Sequence, residues 1–370
     1  MKRTLAALAM MLGATSVVTG QSAEQKTQDS PQERLRALGA IEAPGSVPVF
    51  YVAAAKERAL RLQSSLEAAH AWYEKQLNMK VPILLAVADT TMWDKVQDLY
   101  AWMYYPPRPG PKLVVIRDQA QANAPRDADR DHAKGGILNN EHVLFHDDGH
   151  ILTDAANIRI GNKSVEELIA QAFMVMYLRS ERSDLNFVID GFRVTPPPNP
   201  LRYTSMADFD YLDRTPSLTA PNAFWFLRQM GAVVDTLSKG RSFSSVIESL
   251  RKAFSTPARH ELPDEIKARL ESVWPGFSKL AGPLFGPSAI SRASPSGCQE
   301  SAPTNDWADV VIQNETTNPM TVERPNKSRV TIPERSWTTF TIRVGASINL
   351  LNGTCLVGRE EPILSVIRRQ

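Results

Sequence analysis

Four side chains in a 22-residue stretch carry the chemistry of this sequence: His146, Asp147, His150 and, further on, Glu167. The first three belong to Leu144-Phe145-His146-Asp147-Asp148-Gly149-His150-Ile151-Leu152. On a helix, residues i and i+4 share a face, so the imidazoles of His146 and His150 can reach one ion. Zn2+ accepts two such nitrogens in tetrahedral geometry and requires further ligands. Glu167, in Ser164-Val165-Glu166-Glu167-Leu168-Ile169-Ala170-Gln171-Ala172-Phe173, is the third. Glu166 points about 100° away around the same helix. His142 lies one turn before His146, too far to join the same ion with His150, and is assigned to a supporting or core position. Asp148 faces the opposite side of the helix, and Asp154 reads as a solvated carboxylate.

These residues need two helices to hold them. A helix is expected over 137–155 after the Gly135-Gly136 break. A second runs from Ser164 to about 182, with Ser164 and Glu167 in a capping-box pattern. Their short connection favours an antiparallel pair that brings Glu167 beside the histidines. Upstream, apolar spacing predicts a long helix over 53–77 and strands over 81–88 and 113–116. Downstream, helices are expected over 223–237, 243–254 and 263–272. Six short strand-like runs follow 306: 310–313, 320–322, 329–332, 338–342, 348–351 and 362–366. The expected fold class is α+β, a mainly helical unit with a small strand layer followed by a small all-β sandwich or barrel. The expected divisions are a signal peptide over 1–23, a polar spacer over 24–46, the helical unit over 47–285, a linker over 286–305 and the β unit over 306–370.

HDDGH followed by EELIAQAF resembles the HExxH plus downstream Glu signature of the gluzincin class of zinc metallopeptidases, the thermolysin and aminopeptidase type. The resemblance spans roughly residues 47–285. It implies that His146, His150 and Glu167 bind zinc, and that Asp147 stands where the family has its glutamate base. It also implies a Tyr or His from the later helices that steadies the oxyanion, for which Tyr203, Tyr211 and, remotely, His260 are candidates. The implied substrate is a peptide or protein. The departure is Asp147 itself, one methylene short, which withdraws the carboxylate by about 1.5 Å. A general base must lie within about 3 Å of its proton or act through one water. Two readings follow: a peptidase that is weak or unusual, and a metal-binding relative that no longer cleaves peptides and serves as a binding or scaffold protein.

Composition bounds the setting. In 370 residues, 43% are apolar and 22% charged, the texture of a folded globular chain. A net charge of +2, from 42 basic and 40 acidic residues, offers nucleic acid little purchase. Lys2 and Arg3 precede an apolar run over 5–18 and then small residues, the pattern of a secretory signal. That run is too short to span a bilayer, so the expectation is export to a periplasmic or extracellular space with no transmembrane span after leader removal. There, Cys298 and Cys355 can pair. The aromatic loop over 104–109 reads as packed connection. Asn314, Asn326 and Asn352 match weak glycosylation triplets. The β region is expected to dock on a surface or a protein, with Trp307 and Trp337 in core packing.

Overall fold

A computed structural model describes residues 30–89, 91–96, 99, 110–117, 139–192, 203–212, 220–256, 261–286, 291–292, 307–314, 316–323, 327–343, 347–350, 355–357 and 363–367. The leader, the 104–109 loop, His260 and Cys298 lie outside them, as do Asn326 and Asn352.

The architecture is α+β, mostly helical with a small mixed sheet and further strands. The first sheet has the order β1 (Ile41–Ala43), β2 (Val49–Tyr51), β3 (Ile83–Ala88) and β4 (Lys112–Arg117). β1 runs antiparallel to β2, whereas β2, β3 and β4 are mutually parallel. All six residues of β3 are buried, because the sheet is covered on both faces. Ile83, Leu85 and Val87 face the main core, with α2 (Lys56–Leu77) behind it. Leu84, Ala86 and Ala88 face a second cluster that includes Leu35 and Phe50. α2 stops where Asn78 turns left-handed at φ 50°, a conformation asparagine tolerates.

Leu35 corrects the expected spacer over 24–46. That segment holds α1 (Pro31–Ala37), and Leu35 is fully buried. Ser30 accepts from Glu33 N, and the Glu33 carboxylate accepts from Ser30 N, a complete capping box. Burying one leucine is worth about 1.5–3 kcal/mol, enough to hold a short capped helix on a sheet face.

The site helices are α3 (Asn139–Ala155) and α4 (Lys163–Glu181). They cross at Gly149, where a Cβ would lie 3.0 Å from Phe173 Cβ and 3.1 Å from the Ala170 backbone. No other residue type permits that approach without displacing α4. Phe145, Tyr73, Phe173, Tyr177 and Phe243 interlock around the crossing in edge and tilted contacts of 4.9–5.8 Å. Beyond them come α5 (Asn186–Gly191), α6 (Met206–Leu212), α7 (Ala220–Leu237), α8 (Phe243–Ala253), α9 (Pro263–Val273) and α10 (Phe277–Leu280).

The later strands form two four-stranded sheets. One has β11 (Cys355–Val357), β10 (Ser347–Leu350), β7 (Met320–Glu323) and β8 (Arg329–Ile332). The other has β5 (Ser291–Arg292), β12 (Ile363–Ile367), β6 (Trp307–Asn314) and β9 (Ser336–Arg343). All six strand-like runs read from the sequence coincide with strands, and β5 falls inside the segment expected as linker, where it pairs in parallel with β12. The strands contact the helices through Tyr211, which packs edge-on to Trp337 at 5.0 Å, and through Arg335 Nε, 2.9 Å from Glu265. Asn314 is fully buried, its amide donating to the carbonyls of Asn318 and Pro333, which removes it as a glycosylation acceptor.

Candidate metal centre

α3 carries His146 and His150 one turn apart, and the Gly149 crossing lays the first turns of α4 against that face. Three ligand atoms converge there. His146 Nε2 lies 2.9 Å from Glu167 Oε2, His150 Nε2 3.4 Å from the same oxygen, and the two Nε2 atoms are 3.1 Å apart. For metal bonds of about 2.0–2.1 Å, the edges of a tetrahedron are about 3.3–3.4 Å. The observed triangle, with edges of 2.9, 3.1 and 3.4 Å, is somewhat tighter than that face. Side-chain exposures of 12% for His146, 26% for His150 and 12% for Glu167 leave the cluster recessed and open on the His150 side.

The protonation states suit a cation. Burial lowers the His150 pKa, which favours the neutral imidazole that can ligate. Burial alone would raise Glu167, but the charge of His150, hydrogen bonds from both histidines and the charge of Lys163 hold it well below its ordinary value. His150 cannot be both neutral and the cation that lowers Glu167. Glu167 is held down even beside a neutral His150, because the imidazole hydrogen bonds and Lys163 Nζ, 2.8 Å from Oε1, remain. His146 Nδ1 is buried without a hydrogen-bond partner among the described residues.

Asp147 follows His146 on the same turn and is partly exposed. Burial pushes its carboxyl up to about 6, with Glu167 adding to the rise and His146 and Lys163 opposing it. Glu166 is partly exposed and lies 3.3 Å from Lys163, and Asp154 is exposed. His142 is partly buried one turn before His146.

The start of α4 differs from the capping box expected at Ser164. The helix begins at Lys163, Ser164 lies inside it, and Asp210 of α6 takes the capping role. Ser164 N donates to Asp210 Oδ1 at 2.6 Å, and Ser164 Oγ donates to Oδ2 at 2.7 Å. A carboxylate placed at the positive end of the helix outcompetes a hydroxyl. Glu167 is thereby released from local capping and turns to the histidines. Asn162 is pinned by donating to Glu261 O and accepting from Glu261 N. Lys163 works against this arrangement, since a cation in the first turn opposes the helix dipole by about 0.3–1 kcal/mol.

The two tyrosines have partners of their own. The Tyr211 hydroxyl donates to Gln313 Oε1 at 3.2 Å, and its carbonyl accepts from Thr339. Tyr203 is buried in the same cluster, its carbonyl accepting from Asn222. Both have structural partners at the contact with the strands.

Sequence reasoning did not find the second histidine centre on α3. Asp148 is fully buried, and His70 Nδ1 of α2 donates to both of its oxygens at 3.0 Å. His70 Nε2 donates to Val81 O at 2.7 Å. Burial alone would lower the His70 pKa, but Asp148, the Val81 carbonyl and Glu74 outweigh it and hold it raised. Burial raises Asp148 against the pull of His70. Both ring nitrogens of His70 face acceptors, which favours the charged imidazolium. The two residues are 78 apart, so no local spacing announces them.

The chain finds no match among protein-family models or curated proteins.

Proposed function

We propose that this protein is an exported zinc-dependent hydrolase of peptide bonds. The observation that carries the metal reading is the convergence of His146 Nε2, His150 Nε2 and Glu167 Oε2, three atoms within 4.8 Å of one another. The choice of zinc follows from the mixed nitrogen and oxygen donor set and the tetrahedral spacing. The choice of peptide bonds follows from the resemblance to the gluzincin signature. When bound, zinc would polarise a carbonyl and make a bound water acidic enough to attack it.

In this reading the chain's own groups handle the proton. Asp147, adjacent to the ligands, accepts a proton from the attacking water and returns it to the leaving amine. Its raised pKa places the carboxyl near neutrality, where such exchange is efficient. The short side chain limits reach, so the rate is low. The exposed side of His150 is where a peptide would approach. In this reading the strands from 306 onward dock the enzyme to a surface or a protein. No helix among the described residues is long and apolar enough to cross a membrane, which is compatible with export behind the 1–23 leader.

Metal content of the purified chain tests the first step. One zinc per chain is expected, with loss in His146→Ala and in Glu167→Ala. Unchanged content in both variants refutes the centre. Digestion of a mixed peptide library tests the second step: chelator-sensitive cleavage is expected, and Asp147→Glu should raise it by up to about a hundredfold if reach limits the rate. Zinc without turnover in either chain would favour the scaffold reading.

A further inference from the structure

The carboxylate of Glu167 is divided between two kinds of partner. Oε2 faces His146 and His150, while Oε1 lies 2.8 Å from Lys163 Nζ. Helix energetics do not account for this lysine. It occupies the first turn of α4, where the dipole disfavours a cation. It also precedes both of its glutamates, Glu166 at i+3 (3.3 Å) and Glu167 at i+4 (2.8 Å), the weaker order for such pairs. With three-quarters of its side chain covered, it is not a freely solvated lysine placed there for solubility. Its charge bears on Asp147, His150 and Glu167 together.

We propose that Lys163 is a positioning residue that makes Glu167 a one-oxygen ligand and so keeps a coordination position of the bound metal open for water or substrate. A carboxylate can bind a metal through one oxygen or both. By occupying Oε1, the ammonium removes the two-oxygen mode and fixes the carboxylate plane, as outer partners of metal ligands do. Three single-atom donors then leave a tetrahedral ion one place short, the condition that distinguishes a reactive zinc site from a closed structural one. This inference rests on the metal reading above and adds the means by which the site stays reactive.

The test uses Co2+, whose visible absorption is strong in four-coordinate sites and weak in five- or six-coordinate ones. The full chain is loaded with Co2+ alone and compared with Lys163→Met, with Lys163→Gln as a second neutral variant and Lys163→Arg as the conservative one. The wild-type and Lys163→Arg spectra should be intense. Both neutral variants should bind one Co2+ per chain and lose most of that intensity as Glu167 swings to two-oxygen binding. Unchanged spectra in the neutral variants overturn the role of Lys163, as does failure of both, still folded by circular dichroism, to bind Co2+. A wild-type chain that takes up no Co2+ overturns the metal reading itself, and the two failures are thus told apart.

Discussion

Two histidine–carboxylate clusters sit on opposite faces of α3 and are built from the same residue types. In one, His70, Asp148 and Val81 O exhaust one another: both imidazole nitrogens donate, both carboxylate oxygens accept, and the side chains are 7% and 0% exposed. In the other, two imidazoles and a carboxylate crowd their ligand atoms together while His146 Nδ1 has no partner among the described residues. The first cluster is closed and holds α3 to α2. The second has a geometry that a cation completes. Residue type and spacing do not separate them; the accounting of donors and acceptors does.

The contrast can be broken most directly at Glu167. Glu167→Ala should abolish metal uptake, read by elemental analysis, while leaving the far-ultraviolet circular dichroism intact. The mirror experiment is Asp148→Ala, which strands a charged His70 in the core. Breaking a buried pair of this kind costs about 3–5 kcal/mol, to be read from urea unfolding of the metal-free protein. If Asp148→Ala leaves stability unchanged, the closed cluster does not anchor α3 to α2.

Gly149→Ala joins the two clusters in one test. The added methyl meets Ala170 and Phe173 and should destabilise the chain by about 1–3 kcal/mol. It also moves Glu167 from the histidines, so metal affinity should fall alongside stability, as measured by competition with a chelator.

The smallest effect is pH-linked. Asp147 is raised from its ordinary 3.8 to about 6, so the folded state binds this proton more tightly than the unfolded state. The stability this confers is present below about 3.8 and is lost as pH rises through about 6. Comparing metal-free wild type and Asp147→Asn between pH 4 and 8 should show the wild type losing about 1–2 kcal/mol more, after allowing for the partial solvation of this group. Equal slopes would remove the burial argument for Asp147. His70 is also raised, which places its contribution below its ordinary 6.5 and removes it at higher pH. It is therefore a background common to both chains.

The open cluster was legible because its information is local. His146 and His150 are fixed by helical geometry alone, and Glu167 follows from a short connection between two periodic segments. The later strands were legible for the same reason, as short apolar runs between turn residues. What escaped depends on distant partners. Ser164 carries a good local capping signal, yet a carboxylate 46 residues away takes the position. His70 finds Asp148 only through packing of α2 on α3. α1 was hidden because a polar segment contributes a single deeply buried leucine, and that leucine has meaning only once a sheet face exists to receive it.

The placement of β12 has a consequence for the order of events during synthesis. Residues 363–367 form an inner strand, flanked by β5 and β6, which precede it by about seventy and fifty residues. Until that stretch leaves the ribosome, β6 exposes an unpaired edge on one side and the partner of β5 does not exist. Such late closure of distant segments is slow and leaves sticky edges in the interim. A released chain truncated just before residue 363 should therefore be captured by a chaperone more readily than the full chain.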